Sequence, residues 1–295
     1  MYGTRHACFV MTRAAGLHGV QRRAGLLGEV LAYPAENEQR ARIIDALRNR
    51  AQLEIATSMD ELRGALTRTV RHVDSVILPA RDVDGSSIER HIREIATQRP
   101  NTAIIVYCRA GSQYSSDIRA LTAAGVHQFV FAGIDDTGSA FAEVLYSARR
   151  HCAADSVMRS LAPLIPTSLH PVVETALSEP GELTSIGSLA NARGVHRKTL
   201  FNLCDRAKFL TPGELLTWCR LALVGHYLDT TGCTLETIAI EMAFASDTAL
   251  RNTIKRYTRM RAMDLRQSGG VSCVLEALQR RIEQTHSQGA GLHLA

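Results

Sequence analysis

A regular alternation of two periodicities fills the first half of this chain. Between Gly25 and Arg150, five short apolar segments alternate with five segments whose apolar residues fall at helical spacing. The clearest strand is TAIIVYC, a continuous apolar run typical of parallel strands that are buried on both faces. The clearest helix is MDELRGALTRTV, in which Leu62, Leu66 and Val70 are spaced by four residues. This alternation predicts an α/β fold with a doubly wound, five-stranded parallel sheet.

The C-terminal half contains the pattern helix, tight turn, helix twice. In the first copy, Leu189 lies on a short apolar helix, Gly194 forms the turn and Leu200 lies on a second helix with a polar outer face. In the second copy, Ile238 and Leu250 occupy the two helices. The segment ELLTWCRLALVGHYLDTTG between them predicts a long connecting helix. The pattern therefore predicts an all-α domain with two helix-turn-helix units.

The positive charge of the chain is concentrated in the same region. Residues 184–268 contain 12 Lys and Arg against 7 Asp and Glu, a net charge of +5, which equals the net charge of the whole chain. Excess positive charge confined to one domain is what binding to nucleic acid requires.

Five short sequence patterns in this half occur together in one known family. They are LAxxxGV at 189–195, TP at 211–212, RL at 220–221, IAxxxAF at 238–244 and IKRYT at 254–258. As a set they resemble the DNA-binding domain of AraC-type transcription regulators, over roughly residues 165–267. The resemblance implies a cytoplasmic, non-enzymatic, sequence-specific regulator whose partner is double-stranded DNA. RNA polymerase is a candidate second partner.

The second unit departs from the family pattern at four positions. Its turn glycine is Ala243, an expected aromatic residue is Leu250, and the glycine and proline expected near its end are Arg259 and Ala262. These departures put the geometry of its far end in question. We expect Leu250 to serve as a core residue and Arg259 to add positive charge for phosphate binding.

Two recognition helices on one rigid connector can enter successive major-groove faces about one helical turn (~34 Å) apart. Amide side chains pair with adenine and Arg or Lys with guanine. The predicted base contacts are Lys198, Asn202, Thr248, Arg251 and Asn252. The predicted phosphate contacts, which set affinity and its salt dependence, are Arg193, Arg197, Arg206, Lys208, Lys255, Arg256, Arg259 and Arg261.

The N-terminal half resembles a response-regulator receiver domain in the order of its segments and in the stretch VDSVILPARDVDG. In that family an aspartate at the end of the third strand accepts a phosphoryl group, and here that position is Pro79. The family's hydroxyl residue after the fourth strand is Cys108, and its lysine after the fifth strand is Ala132. The paired metal-binding acids fall near Tyr33 and Pro34.

These departures predict a pseudo-receiver that is not phosphorylated on aspartate. Without clustered carboxylates there is no strong magnesium site, so no metal or cofactor is expected. Asp82 and Asp84 lie beyond the strand end and are predicted to be turn residues. The domain is then a scaffold for dimerisation, which makes a homodimer through it a candidate assembly, or for interaction with a signal or another protein.

An enzymatic alternative rests on the same segment. The stretch IIVYCRAGSQYSSDIRALTAAGV is similar to the active-site loop of rhodanese-type sulfurtransferases, with Cys108 as nucleophile and Arg109 beside it. The arginine expected later in that loop is Gln113. The competing interpretation treats Cys108 as a small apolar residue at the end of a buried strand.

Together these patterns divide the chain into five segments. They are a flexible tail (1–24), a receiver-like domain (25–152), a proline-containing linker (153–166), the double helix-turn-helix domain (167–268) and a C-terminal helix with a tail (269–295). The last segment includes an amphipathic stretch, VSCVLEALQRRIEQT, that could pack on its own domain or pair with another subunit. No apolar run is long enough to cross a membrane. The seven scattered cysteines include no CxxC pair, so reduced thiols are expected.

Overall fold

The computed structural model describes residues 27–68, 73–109 and 115–291. The N-terminal half is a parallel sheet with strand order β2-β1-β3-β4-β5. Its strands are β1 (Glu29–Ala32), β2 (Gln52–Ile55), β3 (Ser75–Pro79), β4 (Ala103–Arg109) and β5 (Gln128–Ala132). This order is one of the two common doubly wound arrangements, so the predicted α/β fold is confirmed.

Helices cover both faces of the sheet. They are α1 (Asn37–Leu47), α2 (Met59–Thr67), α3 (Glu89–Gln98), α4 (Ser115–Ala124) and α5 (Gly138–Leu161). Successive residues of a strand point to opposite faces. In β4, Ile105 lies in the core that includes Ile43 of α1 and Phe141 of α5. Its neighbours Ile104 and Val106 lie in a second core with α2, α3 and α4. The continuous apolar strands are therefore a consequence of burial on both sides.

The helix α5 is much longer than the sequence pattern indicated. It continues past Cys152 to Leu161, so the first part of the predicted linker over 153–166 is helical. The physical reason is that ADSVMRSL contains no helix-breaking residue, and the first proline after Cys152 is Pro163. Two short 3-10 turns, Ala162–Leu164 and Thr167–Leu169, make the rest of the connection.

The described part of the C-terminal half is all helical. Its helices are α6 (His170–Ser178), α7 (Ile186–Ala192), α8 (Arg197–Arg206), α9 (Pro212–Thr230), α10 (Leu235–Glu241), α11 (Asp247–Thr258), α12 (Ala262–Gln267) and α13 (Gly270–Gly291). The pairs α7–α8 and α10–α11 are the two helix-turn-helix units, and α9 is the predicted connector between them. Thr211 and Glu214 form a capping box that starts α9, with Pro212 at its first position.

The C-terminal helix α13 packs on its own domain, which is the first of the two alternatives. It lies against α9. The two helices approach so closely that a Cβ on Gly225 would lie 2.8 Å from the backbone of Gly270. The Asp229 carboxylate also accepts a hydrogen bond from the Val271 backbone N–H at 2.8 Å, at the start of α13. Val274 is fully buried in this contact region.

The second part of α5 joins the two halves of the molecule. Beyond its contacts with the sheet, α5 packs against α6, α9 and α13. Val157 and Leu161 are almost fully buried and belong to the same continuous core as Trp218 of α9 and Leu278 of α13. The DNA-binding half is therefore packed on a helix that starts in the receiver-like half.

The predicted tail over 1–24 lies outside the described residues, as do residues 292–295 at the other end. None of the helices in the described ranges combines the length and apolar character that crossing a bilayer needs. Within the same ranges, no group of three or more His, Cys, Asp and Glu side chains could hold a metal ion.

Candidate nucleic-acid interface

The first helix-turn-helix unit is defined by hydrogen bonds at its helix ends. Ser185 and Ser188 form a capping box at the start of α7. Gly194 in the turn has a φ of 64°, in the left-handed region that glycine adopts at little cost. The N-cap of α8 is His196, whose Nδ1 accepts a hydrogen bond from the Lys198 backbone N–H at 3.2 Å. These bonds hold two short helices at a sharp turn.

The second unit forms the same turn without a glycine. Ala243 has a φ of 47°, in the left-handed region. After it, the Phe244 N–H donates to the Ala239 carbonyl at 2.8 Å, and in the first unit the Val195 N–H donates to the Ala190 carbonyl at 3.0 Å. The missing glycine therefore leaves the turn intact, at a conformational cost of about 1–2 kcal/mol.

Arg220 of α9 supports this second turn. Its guanidinium lies 4.2 Å from the centre of the Phe244 ring and donates a hydrogen bond to the Met242 carbonyl. Burial lowers the pKa of Arg220. Sequence reasoning assigned no role to this arginine, and the only signal for it was the RL pattern at 220–221. It positions the unit and is not free to contact DNA.

The other departures in the second unit are also accommodated. Leu250 is fully buried, which confirms its expected place in the core. Trp218 of α9 meets Tyr257 edge-on, with ring centres 5.1 Å apart. Arg259 ends α11 in a left-handed conformation with a φ of 64°, and Ala262 starts α12 in a buried position. The far end of the unit thus keeps a defined geometry without the expected glycine and proline.

Every residue predicted to contact DNA is exposed to solvent. On α8, Lys198 and Asn202 are four residues apart and share a face, whereas Leu200 and Cys204 are buried on another. On α11 the exposed positions at helical spacing are Thr248, Arg251, Asn252 and Lys255. The remaining exposed cations of the predicted set are Arg193, Arg197, Arg206, Lys208, Arg256, Arg259 and Arg261. Each recognition helix therefore presents one polar face.

Some of these side chains already have contacts within the protein. Arg251 forms an ion pair with Asp247 one turn earlier on α11, at 3.3 Å. Both side chains are exposed, so a DNA partner can replace this contact at little cost. Arg197 lies across α7, so close that a Cβ on Gly187 would be 2.4 Å from its guanidinium. Arg197 therefore holds the first unit together as well as adding charge.

The carboxyl edge of the sheet holds the positions where receivers carry their phosphorylation residues. Pro79 is buried at the end of β3. The Tyr33 hydroxyl donates to Asp82 Oδ1 at 2.5 Å. Burial, followed by the hydrogen bond and charge of Asp82, raises the pKa of Tyr33 to about 12. An apolar residue and a neutral phenol thus occupy positions where that family has acids.

The acids near this edge have partners of other kinds. Both oxygens of the Glu36 carboxylate accept from the Arg109 guanidinium, at 2.7 and 2.9 Å. Asp84 accepts from the Ser86 backbone N–H at 2.8 Å, the contact of a turn residue. Hydrogen bonds to Ser86 lower the pKa of Asp84.

Cys108 lies in an environment opposite to that of an activated thiol. Its side chain is 2% exposed at the end of β4. Desolvation, and to a lesser extent the nearby Asp135 carboxylate, raises the pKa of Cys108 to about 12. A nucleophilic cysteine needs a lowered pKa, so this geometry favours the structural interpretation. Gln113, the other residue of the sulfurtransferase hypothesis, lies outside the described residues.

Comparison with known proteins gave one family model and several similar solved structures. Residues 189–268 match a family model that is described as a helix-turn-helix domain. No curated protein matches the chain. Among solved structures, the chain is similar to a response regulator receiver domain protein from Clostridium thermocellum, at 18% identity over 41% of this chain and 94% of that chain, with a TM-score of 0.35. It is also similar to full-length FixJ from B. japonicum, at 12% identity over 64% of this chain and 95% of that chain, with a TM-score of 0.40.

The fold and the family match together define a class of protein. The N-terminal sheet has the strand order of a receiver, and residues 189–268 of the C-terminal half match a model of a helix-turn-helix domain. A receiver-like domain joined to such a domain is the organisation of a transcription regulator.

Proposed function

We propose that the chain is a sequence-specific, non-enzymatic transcription regulator of the cytoplasm that contacts two boxes of duplex DNA through α8 and α11. The observation that carries this proposal is the pair of exposed polar helix faces, each backed by a buried apolar face. Lys198, Asn202, Thr248, Arg251 and Asn252 are the proposed base contacts. The proposed phosphate contacts are the eight cations Arg193, Arg197, Arg206, Lys208, Lys255, Arg256, Arg259 and Arg261.

Single substitutions should separate the two kinds of contact. On a site selected from random duplexes, Lys198→Ala and Arg251→Ala should each cost about 1–3 kcal/mol of binding free energy and relax base preference in one box. Arg256→Ala should weaken binding to all sequences alike and lower the salt slope by about one. Arg40→Ala, which removes an exposed charge from α1, controls for net charge and should change neither quantity. Fluorescence anisotropy over a salt series measures both the binding free energy and the salt slope.

A particular outcome would contradict the proposal for the second unit. If protection from nuclease covered one box only, and Arg251→Ala left it unchanged while Lys198→Ala abolished it, α11 would not contact bases. The second unit would then act as a clamp on the backbone.

We further propose that the receiver-like domain works without phosphorylation on aspartate. Support comes from Pro79 at the end of β3, the neutral Tyr33 and the partners already held by Glu36 and Asp84. Beryllofluoride with magnesium should therefore leave DNA affinity unchanged, because the acceptor position is Pro79 and the nearby Asp82 and Asp84 carboxylates already accept hydrogen bonds. An effect on affinity that disappears in Asp82→Asn, with Asp60→Asn on the exposed start of α2 as control, would refute this.

We propose two candidate partners besides DNA. A homodimer through the receiver-like domain predicts a concentration-dependent mass in sedimentation equilibrium, and a monomer at all concentrations would rule it out.

A contact with RNA polymerase predicts altered transcription from a template that carries the selected site. Unchanged transcription at full occupancy of the site would contradict the proposed contact with RNA polymerase.

A further inference from the structure

A phenylalanine lies exposed in the middle of the first recognition helix. Phe201 of α8 is 47% exposed, and it is the only aromatic residue among the large exposed apolar side chains of the described ranges. It follows Lys198 by three residues and precedes Asn202, so all three share one face of α8. The helix is held in its domain by Leu200 and Cys204 on another face. Phe201 therefore lies among the proposed DNA contacts and outside the core.

The corresponding position in the second unit carries a cation. Counted from the N-caps His196 and Ser246, Phe201 and Arg251 are both the fifth residue of their recognition helices. Two otherwise similar units thus present an apolar ring and a guanidinium at the same place. Guanidinium pairs with guanine in the major groove, and the apolar group that the major groove offers is the C5-methyl of thymine.

We propose that Phe201 is a specificity-determining residue that packs against a thymine C5-methyl group in the first box. This inference rests on the proposed function, because α8 must enter the major groove for the contact to form. Insertion would remove exposed apolar surface of the ring and of the methyl from water at once. The first box then requires thymine at one base-pair position, whereas the second box selects guanine through Arg251.

Uracil tests the contact because it differs from thymine only by lacking this methyl group. The full chain is used to select a site from random duplexes, and each thymine of the first box is replaced by uracil in turn. At one position, uracil should weaken binding by about fourfold, the factor that burial of one methyl group gives. Phe201→Ala should weaken binding to the thymine site by about tenfold and should bind the thymine and uracil duplexes equally.

A matched variant controls for the loss of exposed apolar surface. Ile240 is also 47% exposed but lies on α10, the first helix of its unit. Ile240→Ala should keep the wild-type preference for thymine over uracil. Circular dichroism of both variants verifies that the helices are intact.

The possible outcomes distinguish a failure of the Phe201 contact from a failure of the proposed function. If the chain selects no site, the proposed function fails and the inference fails with it. If it selects a site but tolerates uracil at every position of the first box, the inference is overturned and the function stands. The same holds if the selected first box contains no thymine, or if Phe201→Ala still discriminates thymine from uracil.

Discussion

Residues 167–295, prepared alone, should be largely unfolded, whereas residues 150–295 should fold. The shorter fragment starts at the predicted boundary of the DNA-binding domain and lacks Val157, Leu161 and Ile165, which are almost fully buried. Burial of each such side chain contributes about 1.5–3 kcal/mol. The summed loss is comparable with the entire stability of a typical domain, about 5–15 kcal/mol. Urea unfolding followed by circular dichroism measures the difference.

A single substitution in the full chain provides an independent check. Leu161→Ala should lower the free energy of unfolding by about 2–5 kcal/mol, because it leaves a cavity where α5 meets the helical half. Arg159→Ala, at an exposed position of the same turn, removes only an exposed hydrogen bond to the Pro100 carbonyl and should lower it by much less. Equal urea midpoints for the two fragments would mean that the second part of α5 serves only the receiver-like half.

Asp74→Ala should lower the free energy of unfolding by about 3–5 kcal/mol, because it leaves a buried charge without its partner. Asp74 Oδ1 is 2.7 Å from the Arg149 guanidinium, and the two side chains are only 8% and 9% exposed. The other oxygen, Oδ2, accepts from the Glu29 backbone N–H at 2.8 Å, where β1 starts. Gly28 has a φ of 57° and no room for a Cβ, which would lie 1.9 Å from the same oxygen. The carboxylate thus ties β1, β3 and α5 together.

Two further variants separate the ion pair from ordinary packing. Asp74→Ala combined with Arg149→Met removes both charges and should recover most of the loss. Asp117→Ala breaks the more exposed pair with Arg81 and should have a smaller effect than Asp74→Ala. If the double variant were as unstable as Asp74→Ala alone, the buried charge would not be the cause.

The sheet was predictable because its determinants are local. Continuous apolar runs such as Ala103–Cys108 can be stable only when both faces are covered, and alternation with helices then requires parallel strands. The polar faces of α8 and α11 were predictable for a similar reason. Once Leu200 and Leu250 are assigned to the core, helical spacing directs Lys198 and Arg251 away from the buried face.

The features that the sequence did not reveal depend on contacts between distant residues. Asp74 and Arg149 pair across 75 positions, and no periodicity marks such a pair. The helix α5 extends beyond the predicted boundary because the strand–helix alternation ends at Cys152, whereas no residue stops the helix before Leu161. His196 as an N-cap was missed because imidazole is not among the usual capping side chains. Arg220 has a role only because Phe244 and the second turn fold back onto α9.

The unlike side chains at the fifth position of α8 and α11 have a consequence for the geometry of regulation. On the proposed function, a monomer that binds a thymine-requiring box with one unit and a guanine-requiring box with the other has a polarity on the duplex. Its site then needs no inverted repeat, and the two orientations of that site are physically different. The helix α5 joins the receiver-like half to the helical half in one core. Reversing the site would therefore place the receiver-like half over the DNA on the opposite side of the site. The orientation of the site relative to a transcription start would then decide which molecules the receiver-like half can reach.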